Sequence, residues 1–232
     1  MYFSHAGDLG DIIYALPTIR VCGGGELWLF NMPGRTTHAM TPERAEKLRR
    51  LLEYQDYIHA FGFNQHATDT NINGFRDHGC NNLADLHLAT MGHHWYHRNT
   101  AWLKVPEPRK TYPVVITRTT RYITPWFDWG AICDKYNGQI GFIGLPGEWQ
   151  HFCDSYKKSV PFIPADDFME VAQAIAGCEL YIGNPTCATA VAEGLKHPNM
   201  ILEMPAQQEP YLRFSRKGVV YCVDGKLELP DL

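Results

Sequence analysis

What most constrains this chain is an alternation of short apolar runs with segments of helical periodicity, which continues along most of its length. Met1–His5 is an apolar run that breaks at Ala6-Gly7-Asp8-Leu9-Gly10-Asp11, after which Ile12, Ile13, Leu16 and Ile19 fall at helical spacing. That is a strand, a glycine loop and a helix. Glu26–Asn31 reads as the next strand, Thr41-Pro42 opens a helix to about Glu53 with Thr as N-cap and Pro at the first helical position, and Tyr57–Phe63 is a further strand. A second set has strands at Val114–Thr117, Gln139–Ile143, Val160–Ile163, Glu179–Ile182, Asn199–Leu202 and Val219–Val223. Its helices are Phe127–Tyr136, Gly147–Tyr156, Asp166–Ala176 and Thr186–Leu195. Strands alternating with helices at this spacing predict an α/β protein with parallel sheets. Asn64–Thr100 is polar, only its centre Asn82–Met91 looks helical, and it reads as an insertion over a site rather than a core layer. Pro106–Pro113 carries three prolines, two basic residues and no apolar run, the composition of an extended linker. Two Rossmann-like domains follow, residues 1–108 and 109–205, with 206–232 as a tail.

The formal net charge of −4 gives no overall attraction to phosphate backbones or anionic membranes. Seven cysteines, odd in number and never spaced C-x-x-C, indicate neither a disulfide framework nor a zinc knuckle and suit a reducing cytosol. No leader-like start and no stretch of membrane-spanning length is present, so a soluble, cytoplasmic protein is expected.

Four constellations carry chemistry. In the first loop, Gly7 and Gly10 permit a tight turn that exposes amide donors at a helix start, and two carboxylates, Asp8 and Asp11, are one more than capping needs. The spacing is not G-x-G-x-x-G, so no dinucleotide fingerprint is present. After the strand Val114–Thr117, Arg118 and Arg121 stand among Thr117, Thr119 and Thr120, and fork-shaped guanidiniums suit phosphate oxygens. Gly144 to Glu148 is a glycine-proline turn after a strand. Gly183-Asn184-Pro185-Thr186, followed by Thr189 and Glu193, is a hydroxyl-rich loop opening a small-residue helix, which aims amides and hydroxyls at an anion. His93, His94 and His97, with His87 upstream, supply only an H-x-x-x-H pair, so no metal site is expected and the segment reads as a polar aromatic loop.

Gly10-Asp11-Ile12-Ile13-Tyr14-Ala15-Leu16-Pro17-Thr18-Ile19 resembles the opening G-D-hydrophobic-hydrophobic-x-x-L-P-A-hydrophobic motif of the heptosyltransferases, glycosyltransferase family nine. The resemblance implies a GT-B-like architecture, two Rossmann-like domains with parallel sheets facing across a cleft, whose last segment crosses back to the first domain. It implies an inverting, metal-independent transferase needing no cofactor, which moves a sugar from a nucleotide-diphosphate donor to an acceptor hydroxyl. Asp11 would be the general base and Asp8 its reserve, because a carboxylate must take the proton of the attacking hydroxyl. Gly7, Gly10, His93 and His94 would line the acceptor side. Arg118, Arg121, Thr186 and Thr189 would hold the donor diphosphate; Gly144, Glu148, Gly183, Asn184 and Glu193 would border the nucleotide, with Glu193 on the ribose hydroxyls.

Asn184 stands where that family has Asp, Pro185-Thr186 where it has Ser/Thr-Gly, and no His follows in register. These departures motivate a second reading, a non-catalytic nucleotide-sugar-binding module. A third is a compact, viral or mobile-element transferase acting on a modified nucleobase in DNA, its basic face supplied by Arg44, Lys47, Arg49, Arg50 and Arg98. The acceptor, glycan or modified base, is open at this stage.

Overall fold

The computed structural model describes residues 1–34, 38–79, 82–222 and 227–232. Two parallel sheets organise them. The first contains β1 (Tyr2–His5), β2 (Gly25–Leu29), β3 (Ile58–Phe63) and β4 (Thr70–Asn71) in the order β3-β2-β1-β4. The second contains β5 (Val114–Thr117), β6 (Ile140–Phe142), β7 (Leu180–Gly183), β8 (Met200–Glu203) and β9 (Val219–Cys222) in the order β6-β5-β7-β8-β9. All pairings are parallel. The expected α/β class with two Rossmann-like sheets is therefore the observed one. Among the described residues no helix is long and apolar enough to cross a membrane.

The helices form where local caps specify them. Asp8, with extended backbone, is the N-cap of α1 (Leu9–Val21). Thr41 accepts from the Arg44 amide and Pro42 takes the first position of α2 (Pro42–Glu53). Asn82 caps α3 (Leu83–Thr90) and Asp128 caps α4 (Trp129–Lys135). Pro146 begins α5 (Pro146–Tyr156), Asp167 caps α6 (Phe168–Ala176) and Thr186 caps α7 (Cys187–Gly194). A short α8 (Glu209–Leu212) was not expected from the sequence.

Two local readings need correction. Val160–Ile163 forms no strand, only a single bridge from Phe162 to Phe142, because Pro161 and Pro164 deny it ladder donors. The stretch after β3 is not a mere cover. Its Ile72 and Phe75 and the α3 residues Leu83, Ala84 and Leu86 are buried in the main core, and β4 pairs with β1. Their spacing was masked by the polar residues between them. The turn at Asp224-Gly225 and the end of the Val219–Val223 strand lie outside the described residues.

One apolar core runs through both halves, including Ile12, Leu16 and Ile19 of α1 and Ala190, Val191 and Ala192 of α7. A second cluster, with Trp129, Phe142, Phe152 and Ile182, fills the other face of the second sheet. Residues 212–214 touch the first half, where Phe214 stacks on Tyr14 and the Arg213 carbonyl accepts from Asn82, before β9 pairs with β8. Asp231 returns to Lys135 at the end of α4 and Pro230 to Tyr136, its C-cap.

Candidate active site

In parallel α/β sheets ligands bind beyond the carboxyl ends of the strands. Here those ends converge. β1 feeds α1 and β7 feeds α7, and the starts of the two helices meet: a methyl added to Gly10 would sit 3.7 Å from Cys187 Cα and 3.9 Å from the Thr186 carbonyl oxygen. Gly10 thus lies on the seam between the halves.

Asp11, in the first turn of α1, is 8% exposed and lines a small pocket with Ala6, Gly7, Met32, Asn73, Phe75 and Arg76. The pocket's free volume of about 30 Å³ holds a water or two. The Asp11 Oδ2 accepts from the Asp8 amide at 3.3 Å, and Arg76 Nη2 lies 3.2 and 3.1 Å from its two carboxylate oxygens. Burial raises the Asp11 pKa above the ordinary carboxylate value, against the opposing pull of Arg76, and Asp8 adds to the rise. Asp8 stays at the N-cap, its Oδ1 3.5 Å from His38 Nδ1 and 3.9 Å from Arg44 Nη2.

The turn is held from behind by residues the motifs do not mark. The Gly7 amide donates to His5 Nδ1 at 2.8 Å, which leaves His5 Nε2 as the donor to His87 Nε2 at 2.9 Å. His87 Nδ1 then donates to the Leu83 carbonyl at 2.7 Å. Every ring nitrogen is satisfied with both rings neutral. Both are fully buried, and burial pushes the His5 pKa down to about 3 and lowers that of His87. Phe75 stacks on His87 at 4.0 Å, and Asn73 Oδ1 accepts from the Ala6 amide at 2.6 Å. Gly7 is required here, since a Cβ would fall 2.5 Å from His5 Cε1 and 2.7 Å from Asp11 Cβ. A histidine closing an apolar strand just before the glycine loop was the available signal for this pair. Nothing in the local sequence marked Arg76.

His93 and His94 do not join this group. His93 Nε2 lies 3.3 Å from Sγ of Cys22, the C-cap of α1, and His94 caps a short 3-10 turn with Trp95 and Tyr96. At about 1.5 Å per residue, that end of α1 is roughly 16 Å from Asp11. Among the described residues no three His, Cys, Asp or Glu side chains stand together as a metal site.

On the second sheet, most expected donor-side residues are engaged by the protein itself. Arg118 is buried, its Nε 2.9 Å from the fully buried Glu203, which also accepts from Trp129 Nε1 at 3.0 Å and the Thr124 amide at 2.6 Å. Asn184 staples the loop after β5: its Oδ1 accepts from the Thr119 amide, and its Nδ2 donates to the Thr119 and Tyr122 carbonyls. Thr189 Oγ1 donates to the Asn184 carbonyl and contacts the Tyr181 hydroxyl. Gly183 leaves room for Tyr181, whose hydroxyl would be 2.6 Å from a Cβ there. Glu193 is at the far end of α7 from Thr186, buried, and its oxygens are taken by Lys196 and Arg216. The accessible remainder is Arg121, whose guanidinium lies over Tyr122, together with Thr186, Gly144 and Glu148; Glu148 accepts from the Leu145 amide. Exposed Ile123, Trp126 and Leu145 flank this edge.

The basic side chains of the nucleic-acid reading are also engaged. Lys47 donates to the Asp166 carbonyl, Arg49 pairs with Glu46 and Glu53, Arg50 with Asp167 and Arg98 with Asp85, while Arg44 faces Asp8.

Two parallel sheets with their carboxyl edges on a common seam make a GT-B-like fold. No protein-family model and no curated protein matches the chain. Among solved structures it is similar to a glycosyl transferase family 9 protein from Veillonella parvula, with a TM-score of 0.64 and 11% identity over 96% of this chain and 85% of that one. It is also similar to TibC, an iron-containing dodecameric glycosyltransferase from enterotoxigenic E. coli, with a TM-score of 0.50 and 11% identity over 86% of this chain and 57% of that one. The likeness to TibC in complex with ADP-D-beta-D-heptose has a TM-score of 0.55 and 12% identity, covering 97% of this chain and 64% of that one. At these identities the likeness establishes the fold.

Proposed function

We propose that the chain is an inverting glycosyltransferase that passes a sugar from a nucleoside diphosphate donor to an acceptor hydroxyl, with Asp11 as general base. Residues 1–108 serve the acceptor and 109–205 the donor. The observation carrying this reading is a carboxylate lining a pocket at the carboxyl end of β1, beside the seam where α1 and α7 begin, in a chain with a GT-B fold. Asp11 takes the acceptor hydroxyl's proton as its oxygen bonds the anomeric carbon, and the bond from that carbon to the diphosphate breaks on the opposite face. The raised proton affinity of Asp11 suits that task. The leaving diphosphate is neutralised, without a metal, by the first amides of α7, Thr186 and Arg121. The exposed apolar residues Trp126 and Leu145 offer the base a flank. The ADP-heptose in the TibC complex makes ADP-sugars the first donors to try.

The engaged Asn184, Thr189 and Glu193 favour one competing reading, a nucleotide-sugar-binding module without turnover. A panel of nucleoside diphosphates and their sugars separates the two. A donor at a hundred times its Kd stabilises the fold by about 2.7 kcal/mol, and an enzyme also releases free nucleoside diphosphate. In Asp11→Asn the stabilisation persists while release in the presence of acceptor falls about 10²- to 10⁴-fold. Donor binding with no release in the wild type supports the module instead, and an Asp11→Asn variant of full activity refutes the base.

A further inference from the structure

We infer that Arg76 is the positioning residue of the Asp11 carboxylate, fixing its orientation in the pocket and holding it in the anionic form. The inference rests on the reading of Asp11 as the base. One nitrogen, Nη2, sits within 3.2 Å of both carboxylate oxygens, so it sets the rotation of the carboxylate about its bond to Cβ. The only other donor to Asp11 among the described residues is the Asp8 amide, which reaches a single oxygen. Arg76 is itself carried on a rigid shelf. Its guanidinium lies 4.7 Å over the Phe75 ring, which is buried and stacked on His87. The arginine therefore has a fixed base and a free, solvent-exposed upper face.

The charged and titratable groups around Asp11 leave Arg76 alone in this role. From the helix start, Asp8 adds a like charge, and its own cationic neighbours, His38 and Arg44, face Asp8. From behind Phe75, His5 and His87 are neutral. From α7, the Cys187 thiol is held protonated by burial. Burial and Asp8 both favour the protonated carboxyl, and Arg76 opposes them.

The test is a carbon-13 NMR titration of the full chain with labelled aspartate carboxyls, the Asp11 signal being identified by its loss in Asp11→Asn. In Arg76→Gln, which keeps a planar group over Phe75 without the charge, the Asp11 midpoint moves to higher pH. In Arg76→Lys, which restores the charge without the fork, it returns toward the wild-type value. An unchanged or lowered midpoint in Arg76→Gln, with the melting temperature unchanged, overturns the assignment. The titration needs no substrate, so its outcome stands apart from the donor panel that tests the base.

Discussion

The carboxyl edges of the two sheets use similar side chains to opposite ends. On the first, a buried carboxylate is left facing a water-sized pocket and its cationic partner reaches into solvent. On the second, the cation, the amide, one of the threonines and the distal carboxylate are folded into internal networks. Residue type alone did not separate these fates; what separates them is whether the partner is buried too, as Glu203 is beside Arg118 and Arg76 is not beside Asp11. Where Glu203 stands at the end of β8, Arg118 is a structural group. Where the partner is the half-exposed Arg76, Asp11 still lines a pocket.

The largest expected effect would break this contrast directly. Arg118→Ala leaves the Glu203 carboxylate buried without its counter-charge, so it lowers unfolding free energy by about 3–5 kcal/mol, whereas adding Glu203→Gln, neutral yet still able to accept from Trp129 and Thr124, recovers part of it. Urea unfolding of the three proteins measures this. An Arg118→Ala protein of wild-type stability would return Arg118 to the ligand side. On the first edge, Gly7→Ala forces its methyl against His5 and Asp11 and costs about 1–3 kcal/mol in the same assay.

Acid sharpens the contrast further. The unfolded chain protonates histidine near pH 6.5 and the folded chain protonates His5 only near 3, so unfolding takes up a proton and stability falls as pH drops below 6.5. At pH 5.5 the loss is about 1.4 kcal/mol for that proton. Stability measured from pH 7.5 to 5.5 falls at least this steeply, since the buried neutral His87 acts in the same direction, and His5→Asn, which keeps an acceptor for the Gly7 amide, makes the fall shallower. The smallest effect belongs to Gly10→Ala. Its methyl meets only ordinary contacts at 3.7 Å and beyond, so stability stays within about 1 kcal/mol of wild type.

Much of the framework was legible because its signals are local. Thr41-Pro42, Asn82 and Thr186 mark helix starts by their own chemistry, and the loop from Ala6 to Asp11 announces a strand-to-helix turn. The fate of the polar residues was not legible, because their partners are distant in sequence. Arg118 meets Glu203 across 85 positions, Thr119 meets Asn184 across 65, and His5 meets His87 across 82. Spacing carries no record of such pairings. Val160–Ile163 failed for a different reason, since its apolar side chains fit a strand while Pro161 inside it and Pro164 after it prevent one.

The union of α1 with α7 bears on how anything reaches Asp11. Both helices belong to one continuous apolar body, so swinging the halves apart would wet it at about 25 cal/mol for every Å² uncovered. A book-like opening is therefore disfavoured. The Asp11 pocket meets water without such an opening, because Arg76 at its rim is already half exposed.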